Sequence, residues 1–188
     1  MRKKEYIFLL ILIFIFSQCK DKTSLHSINA GSFNIQTPKS WKIVEEKSFD
    51  SFVAGIITNT NDTIIIEQGF YSPMLTEQEP TILPVNMKKE LVLKGLDTSS
   101  LIFSDELDRD KFRKQNVNFI HIDNHEAKLV YPRRIGNGIV GVYFDSIGNN
   151  PNMGTVKLSI YGKNLDSTIQ LDLINAIKSI KFGSGQNG

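Results

Sequence analysis

The sequence is poor in cysteine, tryptophan and proline. Its 188 residues include one cysteine, one tryptophan and six prolines. Because the single cysteine, Cys19, has no second thiol to pair with, an intrachain disulfide is excluded. The content of 40% hydrophobic and 22% charged residues is typical of a globular protein. The length suffices for one domain with its own core.

Motifs of nucleophilic catalysis and cofactor binding are also missing. No Gly-x-Ser-x-Gly or Ser-x-x-Lys stands at a strand–turn–helix junction, and no glycine-rich loop is placed to hold phosphate. Glu45-Glu46 and Asp105-Glu106 are adjacent carboxylates whose side chains diverge, so neither pair forms an acid/base couple. We therefore expect no catalytic or cofactor-binding residues, no cofactor, and a protein that is not an enzyme.

Charge of one sign is not in excess once the N-terminus is set aside. The formal net charge of +2 comes from 22 basic and 20 acidic residues. Arg2, Lys3, Lys4 and Glu5 account for it, and removing them leaves 19 basic and 19 acidic residues. A neutral domain gives no electrostatic reason to bind nucleic acid, so we expect no nucleic-acid partner.

The N-terminus has the three parts of an export signal. Arg2-Lys3-Lys4 is followed by an unbroken apolar run, 7–16, and then by Ser17-Gln18-Cys19. Ten apolar residues in a helix span roughly 15 Å, about half the hydrocarbon core of a bilayer. This length suits a signal peptide and is short for a permanent span, and the positive flank predicts that the rest of the chain is exported.

Phe16-Ser17-Gln18-Cys19 resembles a bacterial lipobox. The resemblance implies cleavage after Gln18 and thioether-linked diacylglycerol on Cys19, often with a further acyl chain on the new amine. Such a protein would be lipid-anchored to a bacterial membrane, at the outer membrane or facing the periplasm. The alternatives are an uncleaved helix and an ordinary secretory signal with an unrelated cysteine.

Four regions follow from these signals. Residues 1–18 are predicted to be the signal peptide, 19–27 a polar tether, 28–182 one domain, and 183–188 a disordered tail. With so short a tether, the domain should stay within roughly 25 Å of the bilayer surface.

Within the domain, strand signals dominate. Alternation and β-branched or aromatic content predict strands at 28–37, 41–44, 51–58, 63–71, 118–122, 125–131, 138–147 and 155–161. Turn residues predict two hairpins, one between 51–58 and 63–71 and one around Asp123-Asn124. Residues 72–85 carry three prolines and no periodicity, and they are predicted to be a loop.

Three helices are predicted. One covers 85–96. A second covers 104–115, where two aspartates each precede a basic residue by four positions, as one helix face requires. The third runs from a capping box at Ser167-Thr168-Ile169-Gln170 to about Ile180, with one apolar stripe. An antiparallel sheet with a few packed helices, one of them C-terminal, places the fold in the α+β class.

The segment GSFNIQTPKSW, with Phe33, Ile35, Pro38 and Trp41, is similar to the opening of PsbP-type and DcrB-like domains. The C-terminal amphipathic helix followed by Ser179-Ile180-Lys181-Phe182 resembles their ending. The resemblance extends over nearly all of 28–182. It implies a PsbP-like α/β/α sandwich around an antiparallel sheet, and a non-catalytic accessory or binding module.

Two groups of residues are candidate binding sites. His121, Asp123 and His125 have the spacing of metal ligands on one strand, but a turn at Asp123-Asn124 would break the alternation, so no metal site is expected. Arg133 and Arg134 stand beside a glycine-containing loop and could hold an anion or a partner, although a solvated loop is the simpler interpretation.

Three functions remain as hypotheses. The first is a non-catalytic accessory domain, held to the membrane by lipid on Cys19, that binds another envelope protein. The second is a tethered carrier of a small ligand or lipid, with the surplus of isoleucine and phenylalanine lining a cavity. The third, an enzyme using His121 or His125, has the least support.

Overall fold

The computed structural model describes residues 24–46, 51–76, 80–106, 108–151 and 154–183. The predicted signal peptide, Gln18, Cys19 and nearly all of the predicted C-terminal tail lie outside these residues. In chain order the elements are β1 (Leu25–Asn29), β2 (Phe33–Pro38), β3 (Lys42–Glu46), β4 (Phe52–Ile57), β5 (Thr63–Gly69), β6 (Ile82–Leu83), α1 (Met87–Leu93), β7 (Ile102–Phe103), a 3₁₀ turn (Arg109–Phe112), β8 (Gln115–Ile122), β9 (His125–Pro132), β10 (Ile139–Asn150), β11 (Gly154–Lys163), α2 (Ser167–Lys178) and β12 (Lys181–Phe182).

A seven-stranded antiparallel sheet forms the centre of the fold. Its strand order is β3-β4-β5-β11-β10-β9-β8. The sheet contains both predicted hairpins. In the second one, Asp123 and Asn124 have φ of 47° and 66°, the left-handed conformation that a two-residue hairpin turn requires and that Asp and Asn tolerate.

A smaller sheet has the order β1-β2-β12. Its first two strands correct the prediction of one continuous strand at 28–37. The chain reverses at Gly31 (φ +75°), and Ile28 comes to lie opposite Ile35. Apolar alternation continues on both sides of the reversal, so the pattern alone concealed the turn. Because β1 begins at Leu25, the strand also takes in the last three residues of the stretch predicted as a tether.

Helix α2 forms as predicted, but its N-cap is one residue earlier. The Asp166 carboxylate accepts hydrogen bonds from the N–H groups of Thr168 and Ile169, at 2.8 and 2.9 Å. Ser167 is therefore the first helical residue and not the capping residue. The apolar stripe of α2, formed by Ile169, Leu173, Ala176 and Ile177, is buried.

One hydrophobic core lies between the large sheet, the small sheet and α2. We call the covered side of the large sheet its inner face. It contributes Ala54, Ile56, Ile64, Ile66, Val142, Phe144, Leu158 and Ile160, among others, all nearly inaccessible to solvent. Trp41, the single tryptophan, is 1% exposed in the same cluster. The fold is thus mostly antiparallel sheet with two helices in the described residues, one of them C-terminal, as the α+β prediction required.

The segment 80–106 is built differently from the rest. Strands β6 and β7 form a two-residue parallel pair, and α1 is shorter than the helix predicted for 85–96. The helix predicted at 104–115 is wrong, because only the 3₁₀ turn Arg109–Phe112 forms there. Asp105 accepts a hydrogen bond from the Val85 N–H instead, and the segment has too few apolar residues to bury a helical stripe.

Among the described helices, neither is long and apolar enough to cross a membrane.

Candidate functional site

The side of the large sheet that faces away from α2, here called the outer face, carries polar and aromatic side chains. Strand pairing aligns one row across six strands: Val53, Glu67, Ser159, Tyr143, Lys128 and Phe119. A second, mostly apolar row runs beside it through Val44, Gly55, Ile65, Tyr161, Gly141, Val130 and Val117. This face is the main concentration of interacting polar side chains that the strands place together.

Two tyrosine–carboxylate pairs lie on the outer face. The Tyr161 hydroxyl donates to Glu67 Oε1 at 2.7 Å, and the Tyr143 hydroxyl donates to Asp145 Oδ1 at 2.7 Å. Burial, together with the hydrogen bond to the neighbouring carboxylate and its charge, raises the pKa of each tyrosine to about 12. Both phenols therefore keep their protons at neutral pH. Each phenol has one proton, which it donates to the neighbouring carboxylate, and neither phenol is activated as a nucleophile.

Lys128 lies against the Tyr143 ring, with Nζ 5.2 Å from the ring centroid. Burial lowers the pKa of this lysine, and the negative charge of Asp145 opposes that shift. Its ammonium also donates to Thr76 Oγ1 at 2.7 Å. The lysine is thus held in place by a ring, a hydroxyl and a nearby carboxylate.

A loop of residues 70–76 crosses the outer face. The Ser72 hydroxyl donates to the Glu67 carbonyl at 2.9 Å, and the Ser159 hydroxyl donates to the Pro73 carbonyl at 2.6 Å. Leu75 (φ 54°) is buried against Val130 and Tyr143. Beside this loop, a groove of about 200 Å³ is lined by Val53, Glu67, Gln68, Phe70 and Tyr71, among others.

A second candidate surface is the segment 80–106. None of its residues is buried, although it contains many large apolar side chains. Those that are exposed are Val85, Met87, Val92, Leu93 and Leu96, with Leu93 at 78%. Exposed apolar surface on a soluble protein commonly marks a site that another molecule covers.

The structure does not bring the candidate metal ligands His121, Asp123 and His125 together on one face of a strand. His121 lies opposite Glu126 on the outer face, whereas His125 lies opposite buried Ile122 on the inner face. The His125 ring packs on the Phe182 ring, at 4.3 Å between centroids. Within the described residues, no group of three or more His, Cys, Asp or Glu is placed to hold a metal ion.

Asp123 has a structural role. Its carboxylate accepts hydrogen bonds from the Phe182 N–H at 2.7 Å and from Lys181 Nζ at 3.0 Å. These two hydrogen bonds, the lysine first, lower the pKa of Asp123. The turn between β8 and β9 is thereby fastened to β12, the last strand of the small sheet.

Arg133 and Arg134 are exposed in the loop between β9 and β10. The Arg133 guanidinium donates to the Asp110 carbonyl, and the Arg133 backbone N–H donates to the Lys114 carbonyl at 2.9 Å. Arg133 therefore ties this loop to the 3₁₀ turn.

The tyrosine–carboxylate pairs were not identified from the sequence. Strand alternation could have placed Tyr143 with Asp145 on one face, since the two are two residues apart. Pairing of Glu67 with Tyr161, which is 94 residues away, depends on the order of strands in the sheet.

The chain matches no protein-family model, and no curated protein sequence matches it.

Proposed function

We propose that the chain is the precursor of an envelope lipoprotein, and that its folded part is a non-catalytic, PsbP-like module that binds another envelope protein. The N-terminal sequence supports the anchor through Arg2-Lys3-Lys4, the apolar run at 7–16 and the lipobox-like residues that end at Cys19. The strand Phe33–Pro38, followed by buried Trp41, supports the PsbP-like interpretation.

One observation carries the binding role: segment 80–106 buries none of its residues and exposes five large apolar side chains. The segment has internal order, because β6 pairs with β7 and Lys88 Nζ lies 5.7 Å from the Phe103 ring centroid. It nevertheless lacks a core of its own. Covering these side chains would remove apolar surface from water, which is the main driving force of protein association.

The arrangement of side chains on α1 favours a protein partner over the bilayer surface. A helix that lies in the membrane interface separates an apolar face from a charged face. On α1, Val92 follows Lys88 by four residues and Leu93 follows Lys89 by four, so these two apolar side chains each share a helix face with a lysine. Such a mixed surface suits the apolar centre and polar rim of a protein interface.

The alternative of a tethered carrier would use the groove beside Glu67. Its volume of about 200 Å³ is below the roughly 300–1,000 Å³ that is typical of small-ligand sites. One oxygen of Glu67 is also already bound by the Tyr161 hydroxyl. The groove therefore supports ligand carriage less well than the exposed segment supports protein binding.

Site-specific photo-cross-linking in intact cells tests the binding role. A photoreactive amino acid replaces Leu93 in the full-length chain, and the matched control replaces Leu171, a leucine on α2 that is 58% exposed. We expect a discrete protein adduct from position 93 and none from position 171. Equal adducts from both positions, or adducts to lipid only, would contradict the proposal.

A further inference from the structure

The two edges of the large sheet differ in charge. At one edge, β3 carries Lys42, Glu45 and Glu46 among its five residues. At the other edge, β8 has eight residues, Gln115–Ile122, without proline, lysine, arginine, aspartate or glutamate. Charged residues and short length are the usual means by which an edge strand avoids pairing with another chain, so β3 is protected and β8 is not.

Strand β8 also presents apolar side chains to solvent. Phe119 is 70% exposed and Val117 is 43% exposed, both on the outer face, and Asn118 between them is exposed as well. The middle of the strand is therefore accessible from more than one side. The edge strand β1 of the small sheet is a weaker candidate for pairing, because it has only five residues and exposes one large apolar side chain, Leu25.

We propose that β8 pairs antiparallel with β8 of a second copy of this chain, joining two large sheets into one continuous sheet. A two-fold axis at Phe119 places this residue opposite the partner's Phe119. It places Val117 opposite the partner's His121, and Asn118 opposite the partner's Ile120. In this register, an aromatic pair lies at the centre of the joint on the outer face, a favourable cross-strand arrangement.

Two features favour a second copy over an unrelated chain. An interface about a two-fold axis must be complementary to itself, and a strand without charged side chains meets no like-charge repulsion when it pairs with its own copy. The exposed Phe119 at the middle of β8 also meets its own copy across the axis, so each chain covers the exposed Phe119 of the other. Backbone hydrogen bonds then satisfy the open edge on both chains.

Sedimentation equilibrium of the purified full-length chain in density-matched detergent tests the proposal. We expect a dimer, and we expect Phe119→Lys to raise its dissociation constant at least about tenfold, since two ammonium groups would face each other across the axis. Val44→Lys is the matched control, because Val44 is 53% exposed on the other edge strand, and it should leave the dimer unchanged. Because dimerisation itself stabilises the fold and Lys128 lies opposite Phe119 on β9, circular dichroism at a concentration where both proteins are monomeric should show that the Phe119→Lys chain is still folded.

A monomer at all concentrations, or a dimer that Phe119→Lys leaves intact, would overturn the proposal. Cysteine cross-linking in isolated membranes gives a second readout: Phe119→Cys should form dimers with a short thiol-specific reagent, and Val44→Cys should not. Absence of a Phe119→Cys dimer, or equal dimers from both variants, would also count against the pairing. The unaltered chain reports separately on Cys19, because a thiol that is not acylated would react without any introduced cysteine.

Discussion

Replacing Gly141 with alanine would place a methyl group between two paired strands. Gly141 of β10 lies opposite Tyr161 of β11. A Cβ atom built on Gly141 would stand 2.3 Å from the Ile160 carbonyl oxygen, 2.5 Å from Tyr161 Cβ and 2.8 Å from Tyr161 Cα. Because two of these neighbours are backbone atoms, no change of rotamer can relieve the contact, and the strands must move apart.

The expected loss follows from overpacking, which typically costs about 1–3 kcal/mol and occasionally more. Since the clash is with backbone, we expect Gly141→Ala to lower the free energy of unfolding by about 3 kcal/mol. For a domain of this size, that loss corresponds to a melting temperature lower by about 6–12 °C.

A second strand glycine on the same face provides the control. A Cβ on Gly55 would meet Thr63 Cγ2 at 3.5 Å and the Val44 carbonyl oxygen at 3.9 Å, which are ordinary contacts. Gly55→Ala should therefore raise the free energy of unfolding by about 0.5 kcal/mol, because alanine loses less backbone entropy on folding. The two substitutions remove the same residue type from the same sheet and differ in the space around it.

Urea denaturation followed by tryptophan fluorescence measures both effects, since the single tryptophan, Trp41, is buried in the core. The midpoints and slopes of the two variants are compared with those of the unaltered chain. If Gly141→Ala proved as stable as Gly55→Ala, the register of β10 against β11 would be refuted.

Three further predictions concern the cap of α2, the turn after β8 and the outer face. Asp166→Ala should lower the free energy of unfolding by about 1 kcal/mol, whereas Ser167→Ala should change it by less than about 0.5 kcal/mol, as urea midpoints would show. The folded-state pKa of Asp123 is depressed below its ordinary value of 3.8. The ionised carboxylate therefore stabilises the fold above pH 3.8, and this stabilisation is lost as the pH falls through the folded-state pKa. Asp123→Asn should flatten the pH dependence of the urea midpoint in this acidic range. The pKa of Tyr161 is raised from 10 to about 12, so the protonated phenol stabilises the fold fully below pH 10, and this stabilisation is lost as the pH rises through about 12. Tyr161→Phe should therefore weaken the loss of stability at alkaline pH.

The parts of the fold that depend on local signals were predictable. The turn at Asp123-Asn124 requires two residues that tolerate positive φ, and the sequence supplies such a pair between two alternating segments. Helix α2 carries an apolar stripe with helical spacing, and the stripe is buried. In both cases, the residues that decide the structure are neighbours in the chain.

The errors arose where distant residues decide. Apolar residues alternate on both sides of Gly31, at Ile28 and Ala30 and again at Phe33 and Ile35, and β1 turns back there to pair with β2. The charged stretch at 104–115 has helical charge spacing, but only packing can stabilise a short helix in water, and its apolar side chains are too few. Of the candidate site residues, His121 and His125 are separated by the turn that the sequence predicted, whereas the pairing of Glu67 with Tyr161 required the order of the strands.

Labelled-palmitate incorporation tests whether Cys19 carries the lipid anchor. Cells that express the full-length chain or its Cys19→Ala variant are grown with labelled palmitate, and the chain is then isolated. We expect label in the unaltered chain, an N-terminus at Cys19, and no label in the variant. Equal incorporation into both chains, or an unlabelled chain that keeps residues 1–18, would contradict it.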